Sequence, residues 1–295
     1  MKIAVLLSTF NGEKYLKEQI ESILSQSHKD LILYIRDDGS SDDTKIILDN
    51  YASKDRRITI DYGRNIGYTR SFFEMLKVVE ADAYAFCDQD DLWMSDKLER
   101  ANRILEKTRV PTLWFSNANI CDENMKYVSK GNRDHLLSFS NSLFMNVTQG
   151  MTMVINNYAR KQIIKALPIN IMYHDWWFYK VCSAFGDIVF DDQVLVNYRR
   201  HGNNASELSY NKRLKIKNMI FRLLKSDMYA RTKTENDQFR ELFYDELSEQ
   251  NKEIILLFTD YSLGNRLKKF FYPERLKKTF LDELVLRIFL LVGII

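Results

Sequence analysis

The sequence predicts an α/β fold, a mainly parallel mixed sheet with helices between its strands, followed by an α-helical C-terminal region. Three observations predict it. Up to about residue 110, short apolar runs of strand length alternate with stretches whose apolar residues recur at helical spacing. Each of the four runs ends in a polar cluster, the end at which such sheets bind ligands. From Ser206 onward only helical periodicity appears, with no glycine-rich ligand turn.

The elements follow in order. Lys2 to Ser8 reads as a buried strand that runs into the turn Thr9-Phe10-Asn11-Gly12, after which Tyr15, Ile20, Ile23 and Leu24 mark a helix. Leu31 to Arg36 is a second strand, ending in Asp37-Asp38-Gly39-Ser40-Ser41-Asp42, with a helix through Ile46 and Leu48 behind it. Ile58 to Asp61 leads into Gly63-Arg64-Asn65-Ile66-Gly67 and a helix carrying Phe72, Phe73, Leu76 and Val79. Ala83 to Cys87 is the fourth strand, and Asp88-Gln89-Asp90-Asp91 ends it. Beyond Pro111 the rhythm changes: strands are expected at Thr112–Asn117, Thr148–Ile155 and Val194–Tyr198, with a helix around Asp175–Phe185. The chain thus divides into an α/β domain over 1–204 and a helical, basic amphipathic region over 205–295.

Composition bounds the function. A chain of 295 residues with 45% hydrophobic and 28% charged residues folds without staples. Cys87, Cys121 and Cys182 are too widely spaced for a zinc site or a disulfide framework, so a reduced intracellular compartment is expected. No secretory signal is expected from Met1–Leu7, and no apolar run reaches the roughly 18 residues of a spanning helix. The net charge of +3 is concentrated in the tail, where Lys212 to Lys233 holds eight basic residues and one acid, Asp227. Interleaved with Ile216, Met219, Ile220, Leu223 and Leu224, these make either a solvated face or a surface for anionic lipid. The first 204 residues are close to neutral, which argues against nucleic-acid binding.

Four clusters carry chemistry. The carboxylates of Asp88, Asp90 and Asp91 repel one another, so a fold that gathers them needs a cation; hard oxygens suit magnesium or manganese bridging to a diphosphate. The alternative is a helix N-cap with an acidic first turn. Asp37 or Asp38 can accept the imide N–H of a uracil or thymine ring, or simply form an Asp-Gly turn. Asp175, between His174 and Trp176-Trp177, can act as a general base whose pKa apolar neighbours raise, with the tryptophans a platform for a sugar ring; the competing reading is an aromatic core helix. In Tyr198-Arg199-Arg200-His201-Gly202-Asn203-Asn204, Arg199 and Arg200 can grip phosphate oxygens and His201 can ligate a metal or serve structure alone.

Taken in order, Ser8-Thr9-Phe10-Asn11-Gly12, Asp37–Asp42, Asn65-Ile66-Gly67, Asp88-Gln89-Asp90-Asp91-Leu92-Trp93, His174–Trp177 and Tyr198–Asn204 resemble the family 2 glycosyltransferases. Within that family the likeness is to the rhamnosyltransferase-like branch of bacterial cell-wall and capsular polysaccharide synthesis. The resemblance covers about residues 1–204. It implies a GT-A fold, which is Rossmann-like, a nucleotide-diphosphate sugar donor and inversion at the transferred sugar. Carried onto this chain, Thr9, Asn11 and Asp37 (or Asp38) hold base and ribose, with Asn65 in the same donor site. Asp88 and Asp90 form the Asp-x-Asp pair, Asp88 nearer the ribose and Asp90 nearer a Mn2+ or Mg2+ ion. Asp175 is the catalytic base, Arg199 and Arg200 meet the diphosphate, and His201 is a further ligand of metal or diphosphate. Trp93, Trp176 and Trp177 flank the sugar and acceptor.

Many members carry Glu-Asp where this chain has His174-Asp175, the form of the branch named. A Gln-x-x-Arg-Trp segment and membrane spans, features of processive synthases, are absent from the sequence, which predicts one sugar per encounter. The branch implies dTDP-L-rhamnose as donor, with a UDP-sugar as the alternative, and a glycan on a polyprenyl diphosphate as acceptor. The enzyme is then expected in the cytoplasm against the inner face of the membrane, its tail contacting lipid or forming a homo-oligomer. A nucleotidyltransferase or a dinucleotide-binding oxidoreductase would carry a glycine-rich phosphate loop that Thr9–Gly12 does not supply. A non-catalytic sugar-nucleotide or lipid-binding module is disfavoured by the intact Asp88, Asp90 and Asp175.

Overall fold

A computed structural model of the chain describes residues 1–131, 136–202 and 228–295. The basic segment expected from Lys212 to Lys233 lies outside them as far as position 227, as do Asn203 and Asn204. The described residues fall into two compact units.

The first unit comprises Met1–Arg133, Asn146–Leu167 and Tyr173–Arg200. Its strands are β1 (Ile3–Thr9), β2 (Leu31–Asp37), β3 (Ile58–Tyr62), β4 (Ala83–Cys87), β5 (Leu92–Trp93), β6 (Thr112–Cys121), β7 (Tyr127–Lys130), β8 (Met153–Asn156) and β9 (Asp187–Arg199). They form one sheet in the order β3-β2-β1-β4-β8-β6-β9-β5, with β7 on β6. β3, β2, β1 and β4 run parallel, β8 is antiparallel to both its neighbours, and β6 and β9 pair in parallel through two irregularities.

Every residue of β1 is buried, as expected of a central parallel strand covered on both faces. Side chains alternate across it: Ile3, Val5 and Leu7 join Leu16, Ile20, Leu48 and Leu98 in one core cluster. On the opposite face Phe86 meets Phe72 and Phe178 at 5.6 and 5.0 Å between ring centroids. The covering helices are α1 (Leu16–Leu24), α2 (Thr44–Ala52), α3 (Tyr68–Val78) and α4 (Lys97–Leu105). Each fully buried Leu, Ile or Phe contributes about 1.5–3 kcal/mol, so this double-sided cover is what fixes the strand order.

The order 3-2-1-4 puts the switch in chain direction between β1 and β4, the place beyond whose strand ends a ligand crevice is expected in such sheets. Two expectations needed correction. Of Thr148–Ile155 only Met153 onward is strand, because Gly150–Thr152 tightens into a 3-10 turn. β9 begins at Asp187 rather than Val194, its first half being only partly buried and so showing no apolar run.

The second unit comprises Asp134–Met145, Pro168–Met172 and His201–Ile295, so it is not a simple C-terminal run of chain. It contains α5 (Phe139–Ser142), and α6 (Asn157–Lys165) and α7 (His174–Phe185) belong to the first unit. The longer described helices of the second unit are α8 (Met228–Phe243), α9 (Glu249–Thr259), α10 (Leu263–Phe270) and α11 (Phe280–Val292). Phe139 meets Phe239 and Phe144 meets Phe258 at 5.5 and 4.9 Å, while Asn236 donates to Leu143 O and Asn141 to Leu276 O. Among the described residues no helix is long and apolar enough to cross a membrane.

Candidate active site

The turns after β1 and β2 are stitched to each other and to the end of β4. Thr9 Oγ1 and the Phe10 N–H donate to Gln89 Oε1 at 2.7 and 2.9 Å, and Gln89 Nε2 donates back to Phe10 O at 3.2 Å. The Asn11 N–H donates to Ser40 Oγ, Asn11 Oδ1 accepts from the Ser41 N–H, and the Gly12 N–H donates to Thr44 Oγ1, all within 2.8–2.9 Å. Asn11 takes φ +48°, a left-handed conformation that asparagine tolerates. A Cβ at Gly12 would stand 2.5 Å from Gln89 Oε1, so any larger residue there displaces the Gln89 amide from its bonds to Thr9 and Phe10.

Asp37 and Asp38 are buried and already hydrogen-bonded. Asp37 accepts from both the N–H and the hydroxyl of Ser40, closing the turn in which Gly39 has φ +86°. Asp38 Oδ2 accepts from the Ile66 and Gly67 N–H groups at 2.9 and 2.8 Å, and Arg36 lies 3.6 Å from its other oxygen. Asp38 therefore shapes the Asn65–Gly67 loop. Asn65 is exposed on that loop, and its Oδ1 accepts from the Gly67 N–H at 3.2 Å.

Three carboxylates meet across the crevice. Burial raises Asp88 to about 7, and the charges of Asp90 and then Asp175 push the same way while Lys97 opposes them. Asp175 stands in the first turn of α7 and accepts from the Trp176 N–H at 2.8 Å. Burial raises it to about 6, against the lowering effect of hydrogen bonds from the Asn146 side chain and the Trp176 and Gly150 backbone. Thus Asp175 is held by several donors yet stays near the pKa of a working base. Burial raises the hydroxyl of Tyr68, at the start of α3, to about 12, and the charges of Asp175 and Asp88 push the same way.

Among the described residues no three His, Cys, Asp or Glu side chains converge into a closed metal shell. What is present is the hard-oxygen pair Asp88 and Asp90 in a negatively charged crevice. This fits a divalent cation that takes part of its shell from a diphosphate.

Asp91 belongs to the scaffold: fully buried, it accepts from the Arg199 N–H at 3.0 Å, and burial pushes its pKa well up. Arg199 corrects an expectation. It is 3% exposed, donating to Asp90 O at 2.9 Å, Glu123 O at 2.7 Å and Glu18 Oε2, with its guanidinium over the Tyr15 ring at 4.3 Å. That side chain clamps the Asp88–Asp91 loop from below and has no face left for a diphosphate. Arg200 is partly exposed at the end of β9, its N–H donating to Cys121 O. His201 is partly exposed and falls in the second unit.

The aromatic platform is also corrected. Trp177 is fully buried and Trp176 nearly so, which makes them core residues of α7. Trp93 is 5% exposed and its ring is occupied by the ammonium of Lys97, 3.1 Å from the centroid. Sequence reading missed Gln89, Asn146, Tyr68 and Lys97. Of these only Gln89 stood inside a recognised cluster.

Comparison with known proteins bears on this crevice. Residues 4–180 match the profile of Glycosyl transferase family 2. The dTDP-rhamnosyl transferase RfbG of Shigella flexneri is 29% identical over 217 residues, 67% of this chain and 72% of that protein. An uncharacterized glycosyltransferase of Haemophilus influenzae is 28% identical over 245 residues, 76% of this chain and 75% of its own. Among solved structures, S. aureus TarS 1-349 in complex with UDP-GlcNAc superposes with TM-score 0.64 at 16% identity, covering 97% of this chain and 79% of that one. The mannosyltransferase PcManGT from Pyrobaculum calidifontis, in complex with GDP-Man and Mn2+, gives 0.58 at 12% identity, covering 99% and 86%. The fold is GT-A, with C-terminal helices. With the match running through β1, β4, the Asp88–Asp91 loop and Asp175, the chain belongs to glycosyl transferase family 2.

Proposed function

We propose that this glycosyltransferase moves a sugar from a nucleoside-diphosphate donor to an acceptor hydroxyl with inversion, Asp175 serving as general base. The observation that carries the reading is the opposition of Asp175, raised to about 6, to the Asp88/Asp90 pair. Thr9, Asn11 and Asp37 would hold the base and ribose, with Asp38 fixing the Asn65 loop beside them. Asp175 takes the proton of the acceptor hydroxyl as its oxygen bonds to the anomeric carbon. The bond to the diphosphate breaks on the opposite face, its electrons leaving with the nucleotide. Asp88 and Asp90 would hold Mn2+ or Mg2+, which when bound would supply positive charge for the departing diphosphate. Arg200 is the remaining basic candidate for that oxygen cluster.

The donor we favour is dTDP-L-rhamnose, on the strength of the likeness to the Shigella enzyme. The acceptor would be a polyprenyl-diphosphate-linked glycan of cell-wall or capsular synthesis. A UDP-hexose donor is the second reading, favoured by the UDP-GlcNAc complex of TarS. Nucleotide release measured across dTDP-, UDP- and GDP-sugars, with and without manganese or magnesium, separates them. Release from dTDP-rhamnose alone supports the first reading, and release from UDP-hexoses alone replaces it with the second. Asp175→Asn is expected to keep donor binding and lose at least about a hundredfold in transfer. Turnover at the parental rate would remove Asp175 from the mechanism.

A further inference from the structure

α10 and α11 form a hairpin fastened from within. Glu283, nearly buried, accepts from the Leu276 and Lys277 N–H groups at 2.9 and 2.6 Å and from Arg287 Nε at 2.6 Å. Arg287 also donates to Phe270 O and Glu274 O, and Arg266 donates to Val292 O at 3.3 Å. Leu286 and Leu290 are fully buried on the inner side. The hairpin is therefore a fixed element rather than a fraying end.

Its outer side is apolar as well. On α10 and just past it, Leu263, Leu267 and Phe271 are 75%, 60% and 73% exposed and recur at intervals of four, which puts them on one face. On α11, Leu284, Ile288 and Val292 repeat the same spacing, all exposed, and Phe280 at the helix start is 78% exposed. A helix that is apolar all round belongs where both faces are covered. Apolar surface running the length of two helices, about 20 Å along the 13 residues of α11, marks an interaction site.

Charge chooses the occupant. Lys268 and Arg275 are exposed on the same hairpin, and Lys278 is partly exposed. From Leu263 to Ile295 the chain carries seven Lys and Arg against three acids, Glu274, Asp282 and Glu283. The rim is cationic, so two copies face to face would set like charges against each other. An anionic lipid leaflet matches both features.

We infer that the outer face of the α10–α11 hairpin docks on an anionic membrane surface, its apolar stripes entering the acyl boundary while Lys268 and Arg275 meet the headgroups. The biological sense of this rests on the proposed lipid-linked acceptor, but the docking itself is measured without any transfer. The test is flotation of the full chain with vesicles of equal parts phosphatidylglycerol and phosphatidylcholine, and with phosphatidylcholine alone. The parental chain should float with the anionic vesicles. Leu284→Ser with Ile288→Ser, and separately Lys268→Glu with Arg275→Glu, should each lower that partition about tenfold or more at low salt. All four positions are solvent-facing, so melting temperature and donor-dependent nucleotide release should stay parental. A parental chain that stays with the bottom fraction, or variants that float equally, would overturn the inference. So would a parental dimer, seen by light scattering, that the Leu284/Ile288 variant dissolves, which would assign the face to a second copy. Lost release with intact flotation would count against the transferase reading alone.

Discussion

His174→Leu tests whether the residue beside the proposed base Asp175 is held neutral by its surroundings. His174 is 4% exposed, and neither ring nitrogen has a hydrogen-bond partner among the described residues. Its ring packs 4.2 Å from Phe72, 5.6 Å from Phe178 and 5.8 Å from Phe86, and burial lowers its pKa to about 3. A group whose folded pKa lies below its unfolded value of about 6.5 costs no stability above that value. As pH falls, the unfolded chain takes up a proton that the folded chain refuses, so stability drains away between 6.5 and 3. At pH 5 the linkage amounts to about 2 kcal/mol, and any folded pKa below about 4 gives nearly the same figure. Leucine removes the titration while keeping an apolar side chain of similar reach beside Gly150. Urea unfolding at pH 7.5 and pH 5 should therefore show the parental chain losing about 2 kcal/mol more than the variant over that interval. Parallel losses in the two proteins would refute the argument. A parental chain that gained on the variant at pH 5 would mean that His174 is protonated in the fold.

Two further outcomes follow from the crevice. Asp175 must be ionised to accept a proton, and burial sets it at about 6, so kcat/KM should climb about tenfold per pH unit below 6 and level off above it. Asn146 lowers that pKa by donating to the carboxylate, so Asn146→Ala should move the acid limb to higher pH; a limb that stays put or moves down would deny the bond. Arg199→Ala removes the clamp under the Asp88–Asp91 loop and should destabilise the fold by roughly 2–3 kcal/mol in urea unfolding. Unchanged stability with weakened donor binding would restore Arg199 as a diphosphate ligand.

What the sequence disclosed follows from burial. β1, β2 and β4 sit in the middle of a doubly covered parallel sheet, so each is an apolar run that stands out in a polar chain. β5 has two residues and β7 is largely exposed, so neither writes a pattern. Asp88, Asp90 and Asp175 stood out in the sequence because each closes an apolar run or opens an aromatic one. Trp177 and Arg199 were misread for a common cause. An aromatic or a guanidinium at the edge of a cleft looks the same in sequence whether it faces the cleft or turns under it. Only the tertiary contacts of Arg199 with Glu18, Asp90 and Glu123 decide that case, and those partners come from far apart in the chain.

Lys97 is the buried counterpart of the acidic loop. In sequence it opens a helix behind an acid cluster and reads as a surface lysine. In the fold it is fully buried, its ammonium donating to Met151 O at 2.7 Å. Burial lowers its pKa to about 7, while Cys87, Asp91 and Asp88 pull it back up. A buried ammonium at that point offsets Asp91, which is fully enclosed, and part of the charge on Asp88. The guanidinium of Arg199 is largely balanced by Glu18. Compensation therefore comes from beneath the loop, from a lysine and an arginine that are both buried. A lysine enclosed under the loop thus offsets part of the charge that burial makes costly there.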